Sequence, residues 1–191
     1  MNTRLPLLGK GIIVTRPDEQ ADALCRLIED AGGTALRLPL LRMEALTDSP
    51  DVNRCLSQPA QWDWIIFVSR NAVRYAAPWL TDWKHECRTA AIGPSTAHTL
   101  LSHGIRVDLT PELEFNSESM LEMPEMSHLN GKNILIVRGK GGREHLASGL
   151  MARGASVSYA EVYQRVPSRI DPVPWRQKHL AGTLLALTIT S

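Results

Sequence analysis

Short β-branched apolar runs alternate with stretches of helical periodicity along most of the chain. Gly11-Ile-Ile-Val-Thr15 reads as a strand, and Arg16-Pro17 after it suits the entry to a helix. Over 19–31 the residues Ala21, Leu24, Leu27, Ile28 and Ala31 fall at helical spacing, and Gly32-Gly33 stops the run. Leu36-Arg-Leu-Pro-Leu-Leu41 is then extended. The rhythm recurs: Trp64-Ile-Ile-Phe-Val68 predicts a buried strand ending at Ser69, with a helix over 71–80. Thr89-Ala-Ala-Ile92 predicts a strand ending in Gly93-Pro-Ser-Thr96, then a helix over 97–103 and a short strand near Val107. Asn116-Ser-Glu-Ser119 offers a cap for a helix reaching about Met123. Ile134-Leu-Ile-Val137 is a strand, followed by the loop Arg138-Gly-Lys-Gly-Gly-Arg143 and a helix to about Arg153. Val157–Tyr163 alternates cleanly, and a segment over 172–181 precedes a terminal strand over 184–190. Strands alternating with helices predict an α/β fold with parallel sheets.

An internal repeat sharpens this picture. Val14-Thr-Arg, a helix with Leu24 and Leu27, Ala31-Gly-Gly and Leu36-Arg-Leu match Val137-Arg-Gly, a helix with Leu146 and Leu150, Ala152-Arg-Gly and Val157-Ser-Tyr. Ile65-Ile-Phe-Val-Ser69 similarly resembles Ala186-Leu-Thr-Ile-Thr-Ser191, where the chain stops. Two similar domains are expected. Proline-bearing stretches near 39–50 and 167–174 flank a central block that could fold alone, which leaves the outer segments to pack as a discontinuous domain.

Composition narrows the function classes. The chain has 191 residues, 43% apolar and 21% charged, enough for a packed core. Lys plus Arg is 21 against 20 acidic residues, a net charge of +1 that disfavours a nucleic-acid binder. No apolar run is long enough for a membrane span, and the N-terminus is too quickly polar for a signal peptide. Cys25, Cys55 and Cys87 are scattered and form no C-x-x-C pair, as expected of reduced thiols in a cytoplasmic protein. The six histidines include no H-E-x-x-H, so no metal is expected. With no apolar stripe left over, a monomer is expected.

The candidate chemistry lies at the strand ends: Thr15-Arg16, Ser69-Arg-Asn71, Gly93-Pro-Ser95-Thr96 and Arg138-Gly139 with the loop after it. In an open α/β sheet such loops line the carboxyl edge, where helix N-termini offer N–H donors to anions and Arg offers a carboxylate fork. Taken singly, these residues are better read as helix caps and turns. Taken together, four loops over two similar units point to a large, multiply anionic ligand. The loop after Val137 lacks the Gly-Lys-Ser/Thr ending of a nucleotide P-loop and does not fit G-x-G-x-x-G, and the first βα turn has no glycine. Receiver domains share the rhythm but place carboxylates at strand ends to hold magnesium, where this chain has Thr, Ser, Gly and Arg. Tyr163 closes an alternating strand beside the second linker, where it is either a proton donor or a tyrosine at the edge of the core.

The motifs together resemble the uroporphyrinogen-III synthase family, most of all its proteobacterial form. They are Val14-Thr-Arg-Pro17 with Gln20-Ala21, Pro39-Leu40, Asp63-Trp-Ile-Ile-Phe-Val-Ser-Arg-Asn-Ala-Val73, Ala91-Ile-Gly-Pro-Ser-Thr-Ala97, Ser117-Glu-Ser-Met-Leu121, Ile136-Val-Arg-Gly139 with Gly142-Arg-Glu144, and Val162-Tyr-Gln-Arg165. The resemblance implies two similar α/β domains joined by a two-stranded linker: residues 1–40 plus 168–191, and residues 44–160, with linkers at about 36–44 and 157–170. It implies cyclisation of hydroxymethylbilane, a linear tetrapyrrole with eight carboxylates, to uroporphyrinogen III with inversion of ring D and loss of water. It implies no metal and no organic cofactor, with Tyr163 as the acid and Thr15, Arg16, Ser69, Thr96 and Arg138 facing the substrate; Arg70, Asn71, Ser95 and Gly139, their neighbours in the strand-end loops, are expected against the substrate with them. Family members continue beyond the strand at Leu184–Ser191, so the first domain is expected to lack its C-terminal portion. The competing expectation is an inactive module of the same fold that holds an anionic tetrapyrrole without turning it over.

Overall fold

The structure is a computed structural model that describes residues 5–46, 49–81, 83, 87–171, 173–180 and 184–188. The chain forms two compact units, Met1–Glu44 with Arg165–Ser191, and Ala45–Gln164. In the first unit, β1 (Gly11–Val14) pairs in parallel with β2 (Thr34–Arg37) on one side and with β8 (Leu184–Thr188) on the other. Helix α1 (Asp18–Asp30) connects β1 to β2 and buries Ala21, Cys25 and Ile28 against Ile12 and Val14. Asp18 and Glu19 in its first turn complement the helix dipole. Its end is set by Gly32, whose φ of 84° is open to glycine and strained for other residues. Leu27, expected on the inward face, is exposed instead, because the buried stripe is the narrower set Ala21, Cys25, Ile28.

The second unit holds β4 (Trp64–Phe67), β5 (Arg88–Ala91), β6 (Asn133–Gly139) and β7 (Ser156–Pro167) in a sheet ordered β3-β7-β6-β4-β5, where β3 is Leu41–Ala45. The pairs β4–β5, β4–β6 and β6–β7 are parallel. Trp64–Phe67 and Ile134–Val137 are buried on both faces, as parallel strands covered by helices require. Ile66, Ile134 and Ile136 pack with Met120 and Leu121 of α5 (Ser117–Glu122) and with Leu146 and Leu150 of α6 (His145–Ala152). Helix α3 (Arg70–Leu80) lies against β4 and β6 and buries Ala72, Val73 and Ala76. Strand β3 joins in the opposite sense: the Leu46 N–H donates to the Val162 carbonyl, and the Ser168 N–H to the Leu40 carbonyl.

The sequence repeat recurs in the sheets. Strand β1 sits between β2 and β8, and its match β6 sits between β7 and β4. Val14 faces Arg37 and Val137 faces Ala160, the same spacing along the chain. On the other side Val14 faces Thr188 and Val137 faces Phe67. The expected strand residues 189 and 190, and Ser191 of the repeat, lie outside the described residues, as do 172 and 181 of the expected segment 172–181; within it, 173–180 form α7 (Val173–Leu180).

Three elements differ from the sequence reading. The strand expected near Val107 is reduced to a single bridge between Ala90 and Leu109. Helix α4 (Pro94–Ser102) begins at Pro94, so Ser95 and Thr96 lie in its first turn rather than in a preceding loop. Proline fits there because its fixed φ suits a position that needs no N–H bond. The proline-bearing stretch near 39–50 carries β3, and α2 (Pro50–Leu56) follows, burying Val52, Cys55 and Leu56. No helix among the described residues is long and apolar enough to cross a membrane.

Two outcomes test this packing. Ile66→Ala, at a fully buried position, should lower the stability of the second unit in urea by about 2–5 kcal/mol, while Leu101→Ala on the exposed face of α4 should change it by less than about 0.5 kcal/mol. The Asp63 carboxyl is held below the ordinary carboxylate range by the Lys132 ammonium and then by the Asn133 N–H. Its contribution is therefore present above that range and lost as pH falls through the lowered value, a slope that Asp63→Asn should remove from a pH–stability curve.

Candidate functional site

Four parallel strands of the second unit end along one edge, and that edge gathers most of the predicted residues. Ser69 follows β4, Gly93 follows β5, Arg138 and Gly139 end β6, and Tyr163 lies on β7 opposite Gly139. Ser69 is the N-cap of α3, its Oγ accepting the Ala72 N–H at 3.1 Å. Arg70 projects exposed from the first turn of that helix, and Asn71 beside it is buried. Helix α4 starts from Gly93 with no side-chain cap; Ser95 is exposed in its first turn and Thr96 is buried.

Tyr163 is the centre of this edge. Its side chain is 4% exposed, its ring stacks on Tyr75 of α3 at 5.2 Å between centroids, and its Oη lies 3.5 Å from Ser69 Oγ. The phenol end rests against Gly139, where a Cβ would stand 2.5 Å from Tyr163 Cζ, so no larger residue fits without moving the ring. The Lys140 N–H donates to the Tyr163 carbonyl at 2.8 Å. A contact of 3.5 Å is a loose hydrogen bond, so the phenol proton is not committed to Ser69.

Arg138 is placed differently from its sequence reading as an outward carboxylate fork. It is 7% exposed, and all three guanidinium nitrogens face protein acceptors. Nε and Nη2 donate to Glu161 Oε1 at 3.2 and 3.1 Å, Nη2 pairs with Glu144 Oε1 at 2.8 Å, and Nη1 points to the Gly142 and Arg143 carbonyls at 3.4 Å. The guanidinium lies over the Tyr159 ring, 3.7 Å from its centroid, and the Tyr159 hydroxyl donates to Glu144. Burial and then the Glu144 contact push the Tyr159 phenol up to about 12, whereas Tyr159 and Arg138 hold the Glu144 carboxyl below its ordinary value. Tyr159, Glu161 and Tyr75 were given no role from sequence, and Glu144 entered only as the end of a motif. The signal that could have found three of them is the alternation placing 159 and 161 on one face of β7, together with the Gly142-Arg-Glu144 motif; Tyr163 leaves that face because the register shifts at Val162.

Thr15 and Arg16 stand at the corresponding end of β1, in the other unit. Thr15 is buried, and its hydroxyl donates to the Thr188 carbonyl at 2.6 Å, while the Thr188 hydroxyl donates to the Ile13 carbonyl at 3.1 Å. Arg16 is half-buried. Within the second unit, a cavity of about 400 Å³ opens beside the Arg138 cluster, lined by Lys140, Tyr159, Glu161 and residues of 46–52. A second cavity of about 380 Å³, with Asp63, Arg88 and Arg106 on its walls, lies at the opposite edge of the sheet, away from every predicted residue.

Comparison with known proteins bears on the chain as a whole. The family described as "Uroporphyrinogen-III synthase HemD" matches residues 22–191. The uroporphyrinogen-III synthase of Salmonella typhimurium is 34% identical over 187 residues, covering 94% of this chain and 75% of that protein. The enzyme of Proteus mirabilis is 34% identical over 162 residues, covering 81% of this chain and 80% of that one. A solved structure of a mutant uroporphyrinogen III synthase from Thermus thermophilus matches with a TM-score of 0.61 at 20% identity, covering 93% of this chain and 71% of that one, which supports the fold. With the α/β architecture, the ordered motifs and these relatives in agreement, the chain belongs to the uroporphyrinogen-III synthase family.

Proposed function

We propose that this chain binds hydroxymethylbilane and cyclises it to uroporphyrinogen III, with Tyr163 as the general acid. The observation that carries the reading is the phenol of Tyr163, pinned against Gly139 and Tyr75 at the carboxyl edge with its proton only loosely engaged by Ser69. The hydroxyl on the terminal carbon of the linear tetrapyrrole is a poor leaving group. Proton donation from the Tyr163 Oη lets it depart as water and leaves an electrophilic carbon conjugated to the pyrrole. Ring D then attacks through its substituted carbon; the bond from that carbon to its own methylene bridge breaks, the bridge rejoins at the free α-carbon of the same ring, and the proton displaced there balances the one given to the leaving water, so ring D ends inverted. Direct closure at the unsubstituted carbon is chemically easier, so the protein's main task is to fold the substrate and hold that geometry.

The substrate's carboxylates need donors at fixed positions. Ser69, Arg70 and Asn71 at the start of α3, and Ser95 and Thr96 in the first turn of α4, supply hydroxyls, N–H groups and one exposed cation along the same edge. Thr15 and Arg16 would serve the same purpose at the end of β1. Gly139 admits the Tyr163 ring, and Arg138, with its nitrogens turned to Glu144 and Glu161, shapes the loop rather than holding a carboxylate itself. In this reading the two units are the two domains of the enzyme, β3 and β7 are the linker between them, no metal or organic cofactor takes part, and the enzyme works as a cytoplasmic monomer.

The test is turnover of freshly generated hydroxymethylbilane by this chain, with the III:I isomer ratio read after oxidation. The expected outcome is uroporphyrinogen III as the main product, slowed about 10²–10⁴-fold in Tyr163→Phe while the fold is kept. An unchanged rate in that variant would remove Tyr163 from the acid role. Tight binding without turnover would favour a module that only holds the tetrapyrrole. Affinity for uroporphyrin should also fall as salt rises and vanish for its octamethyl ester, since charge-assisted contacts are screened or lost.

A further inference from the structure

We propose that Glu161 and Glu144 are positioning residues for Tyr163, acting through Arg138. The inference deepens the reading above and rests on it for the role of Tyr163. Strands β6 and β7 run in regular register from Asn133 opposite Ser156 to Arg138 opposite Glu161, and the register then shifts so that Gly139 faces Tyr163. One extra residue, Val162, is accommodated at that point. A bulge of this kind re-aims the side chain that follows it, and here that side chain is the Tyr163 phenol.

A bulge is also a place where two strands can slip, so something must hold both of its flanks. The Arg138–Glu161 pair is the last regular pair before the shift and bonds the strands side chain to side chain. Beyond the shift, the Lys140 N–H donates to the Tyr163 carbonyl. That contact depends on the course of the loop over 139–143, and the loop is held by the same guanidinium. Arg138 reaches back toward the Gly142 and Arg143 carbonyls and pairs with Glu144 at the loop's far end. Tyr159 completes the cage, stacked under the guanidinium and bonded to Glu144. One buried cation thus fixes both the strand before Tyr163 and the loop after Gly139. The two carboxylates fix the cation, because a buried guanidinium deprived of a partner must find another or move toward water.

The phenol has little tolerance for such movement. Gly139 is already in contact with its ring, and Ser69 lies at 3.5 Å from its hydroxyl. A shift of the loop or of the bulge by about 1 Å would misplace the acid, an error that can cost about 100-fold in rate without weakening substrate binding.

The experiment uses the full chain and the variants Glu161→Gln, Glu144→Gln and Arg138→Lys. The chain has three tyrosines, so labelling their ζ-carbons gives three NMR signals, and Tyr163→Phe assigns the one from Tyr163. The expected result is a displaced Tyr163 signal in each variant. With it goes a fall in kcat of about 10- to 100-fold, a KM for hydroxymethylbilane within about twofold of the parent and more of the I isomer. Arg138→Lys keeps the charge but not the fork, and is expected to fail as a substitute. Glu144 is exposed, so Glu144→Gln keeps the test available should the variants at buried Arg138 and half-buried Glu161 fail to fold. A Tyr163 signal that stays in place in Glu144→Gln, or a kcat that falls only as far as the folded fraction does, overturns the inference. Normal production of uroporphyrinogen III by Tyr163→Phe would overturn the acid reading instead, and the position of the Tyr163 signal would still decide whether the two glutamates position it.

Discussion

The pairing of β4 with β6 at the centre of the five-stranded sheet is the constraint on which the site depends. Trp64 to Phe67 face Ile134 to Val137 residue for residue, and both runs are buried on both faces. In a sheet covered on both sides, a slip by one residue would exchange every side chain between two differently packed layers. The register is therefore held by the core, with Ile66, Ile134 and Ile136 in one cluster and Phe67 and Val137 in the other layer. Because the strands are parallel, fixing that register also aligns their carboxyl ends, so Ser69 and Arg138 come to the edge at the same level. Strand β7 joins β6 by the same rule and brings Tyr163 beside them.

Much of this was legible in the sequence. Four- and five-residue apolar runs rich in Ile and Val and bounded by Ser, Gly and Arg read as buried strands, and the glycines after α1 and α6 mark where those helices stop. The positions of Ser69, Gly139 and Tyr163 at strand ends follow from the same pattern. What escaped depends on partners far away in the chain. Leu41–Ala45 reads locally as a weak, half-charged stretch; only the family resemblance, with its two-stranded linker, anticipates a strand there, and β7 supplies the backbone with which it pairs. Val107 carries a strand-like residue but lacks a neighbour long enough for a ladder, and only Leu109 bridges to Ala90. Helix α2 had its signal, Ser49 before Pro50, but seven residues are too few for helical periodicity to declare itself.

The site was legible in residue type and less so in role. An arginine after a strand is equally suited to face a ligand or a neighbouring carboxylate, and nothing local distinguishes the two. The decision lies with Glu161, on another strand, and with Glu144, whose approach depends on the loop between them. Sequence reasoning weighs a charged residue by its chance of being solvated. Here two carboxylates and an aromatic face together make burial of the guanidinium tolerable, a balance that only the fold sets up.

The two repeated units resolve that balance in different ways. Thr15 and Arg16 occupy in the first unit the places that Arg138 and Gly139 occupy in the second. At the end of β1, two threonine hydroxyls bond across to backbone carbonyls and stitch β1 to β8. At the end of β6, the Arg138 guanidinium bonds β6 to β7 through Glu161 and holds the following loop through Glu144. The hydroxyl stitch lies beyond the register shift of β1 against β8 at Gly11 and Ile12, where the pairing is regular again and short neutral bonds add little more than local order. The ionic stitch costs desolvation and is directional, and it is found where the backbone register breaks beside a tyrosine that has to be aimed. Equivalent strand ends thus carry neutral hydroxyl bonds to one neighbour in the first unit, and in the second a buried ionic cluster on the other neighbour, next to the residue proposed to move a proton.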